Sequence, residues 1–138
     1  MSINDRETIS SEQEKQLIDA ARKALTNAYA PYSQFQVGAA VLTRQGNLFT
    51  GCNVENIAYG LSLCAERNAI AQAVATEGAT MKIMAVAIAN NRQVPCSPCG
   101  ACRQVIQEFG QKAIVIFQGA TGWQSLTIEQ LLPAGFSF

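Results

Sequence analysis

Ile83-Met84-Ala85-Val86-Ala87-Ile88-Ala89 is an unbroken apolar run. A run of this length marks a central strand covered on both faces. Helical spacing lies on either side of it. Upstream, a helix is predicted from about Cys64 to Thr76, closed by Gly78. Downstream, a Pro-rich turn leads into a second from Cys99 to Phe109, ended by Gly110. Strands alternating with helices predict an α/β domain with helices on both faces of a mixed sheet.

Both of these helices open on a cysteine. Cys64-Ala65-Glu66 is followed, after 31 intervening residues, by Pro98-Cys99-Gly100-Ala101-Cys102. Two cysteines in a C-x-x-C turn can grip one tetrahedral ion, because N–H groups at a helix start favour thiolates. Cys64 would add a third ligand and leave one position for a water. Glu66 is then a carboxylate close enough to take that water's proton without being a ligand. The sequence contains no histidine, so the usual general base and the commonest zinc ligand are both missing.

Other readings of the cysteines compete. Cys99-x-x-Cys102 alone also suits a redox dithiol. Cys96, Cys99 and Cys102 resemble the start of an iron–sulfur run, but position 106 is isoleucine and no Cys-Pro follows. A closed structural zinc site would need Cys96 or Cys52 as a fourth ligand, and would give Glu66 no task. Cys96 is expected on the outer side of the Ser97-Pro98 turn, and Cys52 in a hairpin arm, both as packed thiols. Three thiolates give Zn²⁺ a formal charge of −1, so a nearby cation should offset them. Arg67, three residues beyond Cys64, is the first candidate and Arg103 a weaker one.

Outward from this centre, Ser11-Glu12-Gln13-Glu14 reads as a capping box that opens a helix from about 12 to 28. Phe35 to Thr43 and Leu48 to Asn53 read as two arms of a hairpin joined at Gln45-Gly46-Asn47. The loop Ile57 to Leu63 leads into the Cys64 helix. Ala113 to Phe117 is another buried strand, and Thr127-Ile128-Glu129-Gln130 caps a short last helix.

Composition narrows the function. The 138 residues and 49% hydrophobic content fit a single domain, 1–138, with an ample core. Ten basic and ten acidic residues cancel, with no basic stripe to follow a phosphate backbone, which disfavours nucleic acid. The polar stretch Met1 to Lys15 lacks the apolar centre of a secretory signal. No apolar stretch approaches the about 20 residues that cross a bilayer. Five cysteines, an odd number, fit thiols kept reduced in the cytoplasm rather than a disulfide framework.

Four segments together resemble the small homotetrameric cytidine deaminases. They are Ala30-Pro31-Tyr32-Ser33-Gln34-Phe35-Gln36-Val37-Gly38-Ala39-Ala40, Gly51-Cys52-Asn53-Val54-Glu55-Asn56, Cys64-Ala65-Glu66-Arg67, and Ser97-Pro98-Cys99-Gly100-Ala101-Cys102-Arg103-Gln104-Val105. The resemblance runs from about residue 12 to 136 and implies a three-layer αβα fold on a mixed sheet of about five strands. It implies one Zn²⁺ per subunit on Cys64, Cys99 and Cys102, with Glu66 as proton shuttle. It further implies that the Ala65 N–H meets the pyrimidine O2, that Asn53 and Glu55 hold the ribose hydroxyls, and that Phe35 packs on the base. Tyr59 and Phe136 would reach across a subunit interface. The reaction implied is deamination of cytidine and 2′-deoxycytidine in pyrimidine salvage. Blasticidin-S deaminase is a less close resemblance that shares the zinc motifs and the Leu-Leu-Pro ending.

Overall fold

The computed structural model describes residues 8–137, so the first seven residues of the polar N-terminus lie outside it. Its elements are α1 (Ser11–Leu25), β1 (Val37–Thr43), β2 (Leu48–Cys52), α2 (Ala65–Glu77), β3 (Ile83–Asn90), α3 (Gly100–Phe109), β4 (Ile114–Gly119), β5 (Gly122–Thr127) and α4 (Ile128–Leu131). The sheet order is β2-β1-β3-β4-β5. Only β3 and β4 run parallel; the other neighbouring pairs are antiparallel. This is the mixed five-stranded α/β sheet expected.

The two faces of the sheet carry different layers because side chains alternate along each strand. Ala40, Leu42, Ala85, Ala87 and Ala89 face Leu17 and Ala21 of α1. These small side chains let the helix lie close, and a Cβ on Gly38 would stand 2.0 Å from the Ala21 carbonyl oxygen. The opposite face sends Ala39, Val41, Val86, Ile88 and Val115 against Ala69, Ile70 and Ala73 of α2, Ile106 of α3 and Ile128 of α4. Helices therefore cover both faces.

Three details differ from the sequence expectations. The first helix is capped by Ser10, whose hydroxyl accepts from the Gln13 N–H while Gln13 reaches back to the Ser10 N–H, rather than by Ser11. It ends at Leu25, after which Asn27 and Ala28 bond to carbonyls three residues back in a tightened turn. β5 has no counterpart in the sequence reading. It is an edge strand whose residues are all half-buried or exposed, and its pairing with β4 fixes it.

Candidate active site

Two helix starts converge at one end of the sheet. Cys64 is the N-cap of α2 and Cys99 the N-cap of α3. A serine or aspartate at that position turns its side chain back onto the helix N–H groups. Neither cysteine makes such a bond, which leaves both sulfurs directed elsewhere. Cys102, fully buried, follows one turn into α3. The sulfurs of Cys64, Cys99 and Cys102 all lie within 4.8 Å of one another.

This spacing fits one tetrahedral ion. Zn–S bonds of about 2.3 Å place sulfurs about 3.8 Å apart along a tetrahedral edge. Among the described residues, no fourth cysteine or carboxylate joins the cluster, and Cys52 and Cys96 both stand outside it. The closed, four-thiolate arrangement is therefore not formed, and Cys64 and Cys99 of the cluster line a cavity of about 510 Å³.

Close packing sets the position of α2. A Cβ on Gly51 would stand 2.5 Å from the Ala69 nitrogen and 2.7 Å from the Ala65 oxygen, so only glycine lets β2 lie against the first turn of the helix. The Asn68 side-chain amide adds a bond to the Cys52 carbonyl at 2.8 Å.

The charges are arranged around Cys64. Arg67 donates from Nη2 to Cys64 Sγ at 3.1 Å. Cys64 is pulled down to about 5, mainly by a hydrogen bond from Cys102, with Arg67 adding another hydrogen bond and its positive charge. Cys102, as the donor in that pair, is pushed up. The hydrogen bond and the charge of Cys64 hold Arg67 firmly protonated. Arg103 does not share this task. Its guanidinium donates to the Pro98 carbonyl at 2.7 Å, the Leu131 carbonyl at 2.7 Å and Ser97 Oγ at 2.9 Å, clamping the turn before Cys99 onto the C-terminal segment.

Glu66 lines the cavity beside the thiols and is only 5% exposed. Burial pushes its carboxyl above the usual range, and the negative charge of Cys64 pushes the same way. A buried carboxyl of raised pKa beside a cavity is suited both to take up and to release a proton.

Asn53, Glu55, Tyr59 and Ala65 also line this cavity. Asn53 accepts from the Val37 N–H and donates to the Phe35 carbonyl, each at 2.8 Å. Glu55 accepts from the N–H groups of Tyr32 and Ser33, at 3.0 and 3.1 Å, and from the Ser33 hydroxyl. These bonds shape the 32–37 loop and leave one hydrogen on the Asn53 amide and free carboxylate lone pairs for a ligand. Tyr59, 75% exposed, sits at the mouth edge-on to Tyr32, with ring centroids 6.1 Å apart.

Phe35 is not among the residues that line the cavity. Gln34 takes a left-handed φ of 56°, and Phe35 packs against the Arg92 guanidinium, 5.5 Å from its ring centre. Phe136, 68% exposed, borders a separate groove with Gln107, Glu108 and Gln111. Conversely, Val37, Ile88, Cys96 and Ser97 line the cavity although nothing in the sequence singled them out for it. Val37 and Ile88 carry only the pattern of core strands. Cys96, expected on the outer side of its turn, faces inward because its N–H is bonded to the Gln118 carbonyl of β4 at 2.9 Å.

Three clustered cysteines at paired helix starts, a buried carboxyl beside them and an open cavity on a mixed αβα sheet fit the class of zinc-dependent hydrolytic deaminases. Residues 11–118 match the cytidine and deoxycytidylate deaminase zinc-binding region. The chain belongs to that family. It is 42% identical over 125 residues to the cytidine deaminase of Sporosarcina psychrophila, covering 89% of this chain and 90% of that one. The crystal structure of cytidine deaminase from Burkholderia pseudomallei superposes with a TM-score of 0.80 at 41% identity, over 93% of this chain and all of that one. The corresponding Mycobacterium tuberculosis structure gives 0.80 at 37% identity, over 91% and 98%.

Proposed function

We propose that this chain deaminates cytidine and 2′-deoxycytidine hydrolytically, yielding the uridines and ammonia as a step of pyrimidine salvage. The carrying observation is Glu66, nearly fully buried yet lining a cavity that Cys64 and Cys99 of the three-sulfur cluster also line. Zinc on Cys64, Cys99 and Cys102 would lower the pKa of a water enough to supply a nucleophile at neutral pH.

Glu66 does the proton work. It accepts a proton from the attacking water and passes it to pyrimidine N3 so that C4 becomes more electrophilic; once the hydroxyl has added at C4, it takes that hydroxyl's proton and delivers it to the departing amine, leaving the C4 carbonyl. Arg67 offsets the sulfur charge. The Ala65 N–H is suited to the pyrimidine O2, and Asn53 and Glu55 to ribose hydroxyls. A 5′-phosphate would instead call for arginine or lysine, and the Glu55 carboxylate would repel it. The free nucleoside is the favoured substrate.

The assembly proposed is a homotetramer with sites shared between subunits. Its support is an apolar rim beside the cavity: Ile57, Tyr59, Leu61 and Leu63 are exposed, as is Phe136 on its separate groove. No helix among the described residues is long and apolar enough to cross a membrane. A reducing cytoplasm would keep the thiols available to metal.

Ammonia release tests the reading. Zinc-loaded protein is mixed in turn with cytidine, 2′-deoxycytidine, cytidine 5′-monophosphate, cytosine and blasticidin S. Turnover of the two nucleosides well above the other three is expected. Preference for blasticidin S or the nucleotide would contradict the assignment.

A further inference from the structure

We infer that Cys96 is a specificity-determining residue, the wall whose size decides which substituents on the 4-amino group the cavity admits. This rests on the deaminase reading above. Four observations place Cys96 in that role. Cys96 lines the cavity together with Glu66, Ile88 and Cys99. It stands outside the metal-ligating cluster, so it is free to act as wall. It is half-buried, whereas Tyr59 at the mouth is 75% exposed. Its backbone is anchored, through its own N–H to Gln118 and through the Arg103 clamp on the next two residues.

The chemistry in the cavity is fixed by Glu66. An amine that leaves C4 protonated by Glu66 must depart beside that carboxylate, and any group it carries projects into the wall next to it. A thiol there is a compact, weakly polar side chain. Because the turn is anchored, replacing it changes the volume of the cavity more than the path of the chain. A difference of one methylene-sized group in an enclosed pocket discriminates substrates by about 10–200-fold.

The test compares kcat/KM for cytidine and N4-methylcytidine in the wild type, Cys96→Ala and Cys96→Leu, with zinc content and Tm measured for each. The ratio of N4-methylcytidine to cytidine should rise on the order of tenfold in Cys96→Ala and fall by a similar factor in Cys96→Leu. The two variants err in opposite directions, so if one fails to fold the other still decides. Ratios within twofold of the wild type in a zinc-loaded, folded variant would overturn the assignment of Cys96 while leaving the deaminase reading intact. A wild type that releases no ammonia from cytidine would instead overturn that reading, and this inference with it.

Discussion

Arg67 Nη2 stands 3.1 Å from Cys64 Sγ, three residues apart on the first turn of α2. The pair binds the only guanidinium hydrogen-bonded to a thiol of the cluster among the described residues. Removing it leaves the sulfurs with only the two helix starts as positive partners. Arg67→Ala should weaken zinc retention by about 10–100-fold, as loss of a ligand's supporting partner typically does. Competition with a colorimetric chelator measures this, and unchanged retention would show that the sulfurs need no counter-charge from Arg67.

Gly51 governs where α2 begins. An added methyl would meet the Ala69 nitrogen at 2.5 Å and the Ala65 oxygen at 2.7 Å, both backbone atoms that cannot rotate away. Gly51→Ala is expected to destabilise the fold by about 1–3 kcal/mol, as overpacking does. It should also lower zinc affinity, because Cys64 moves with the helix. Thermal unfolding and metal titration of the same sample check both effects; a stable variant with normal affinity would mean that β2 yields instead.

Glu55 ties the 32–33 backbone through a carboxylate held below its ordinary value of 4.5, chiefly by the Ser33 hydroxyl and then by backbone N–H groups. A depressed carboxylate contributes stability above its unfolded-state pKa and loses it as pH falls through the folded value. The loop should therefore keep its order down to pH 4.5 and loosen below it. Amide exchange at Tyr32 and Ser33, read against the core strand β3, should accelerate selectively in that acid window, and Glu55→Gln should remove the dependence. Uniform acceleration across the protein would point to global unfolding instead.

Much of this architecture is legible in the residues because it follows from local pattern. The β1–β2 hairpin, both cysteine-led helices and the β3 run are set by alternation, by Gly78 and Gly110 as stops, and by unbroken apolar composition. Where two local solutions are equivalent, only packing chooses. Ser10 with Gln13 and Ser11 with Glu14 are both plausible caps, and the structure takes the first. β5 has no apolar face strong enough to announce it; Trp123 and Leu126 are half-buried and the strand exists because β4 pairs with it.

The site divides along the same line. Cys64, Glu66 and the Cys99–Cys102 pair are recognisable because ligand spacing is a property of one turn of chain. The direction in which Cys96 faces depends on a hydrogen bond to Gln118, 22 positions on, which no local pattern carries. Phe35 and Phe136 likewise follow from distant partners, Arg92 for one and the 107–111 groove for the other.

Glu66→Gln is the most direct test of the central claim, that a buried carboxylate beside a three-sulfur zinc site moves the proton. The substitution keeps the shape of the side chain and removes its ability to take up a proton. Zinc content should stay at one ion per chain and the fold should persist, while the rate of ammonia release from cytidine falls by on the order of 10²–10⁴ or more. A Glu66→Gln protein that holds zinc and deaminates cytidine at close to the wild-type rate would contradict the account.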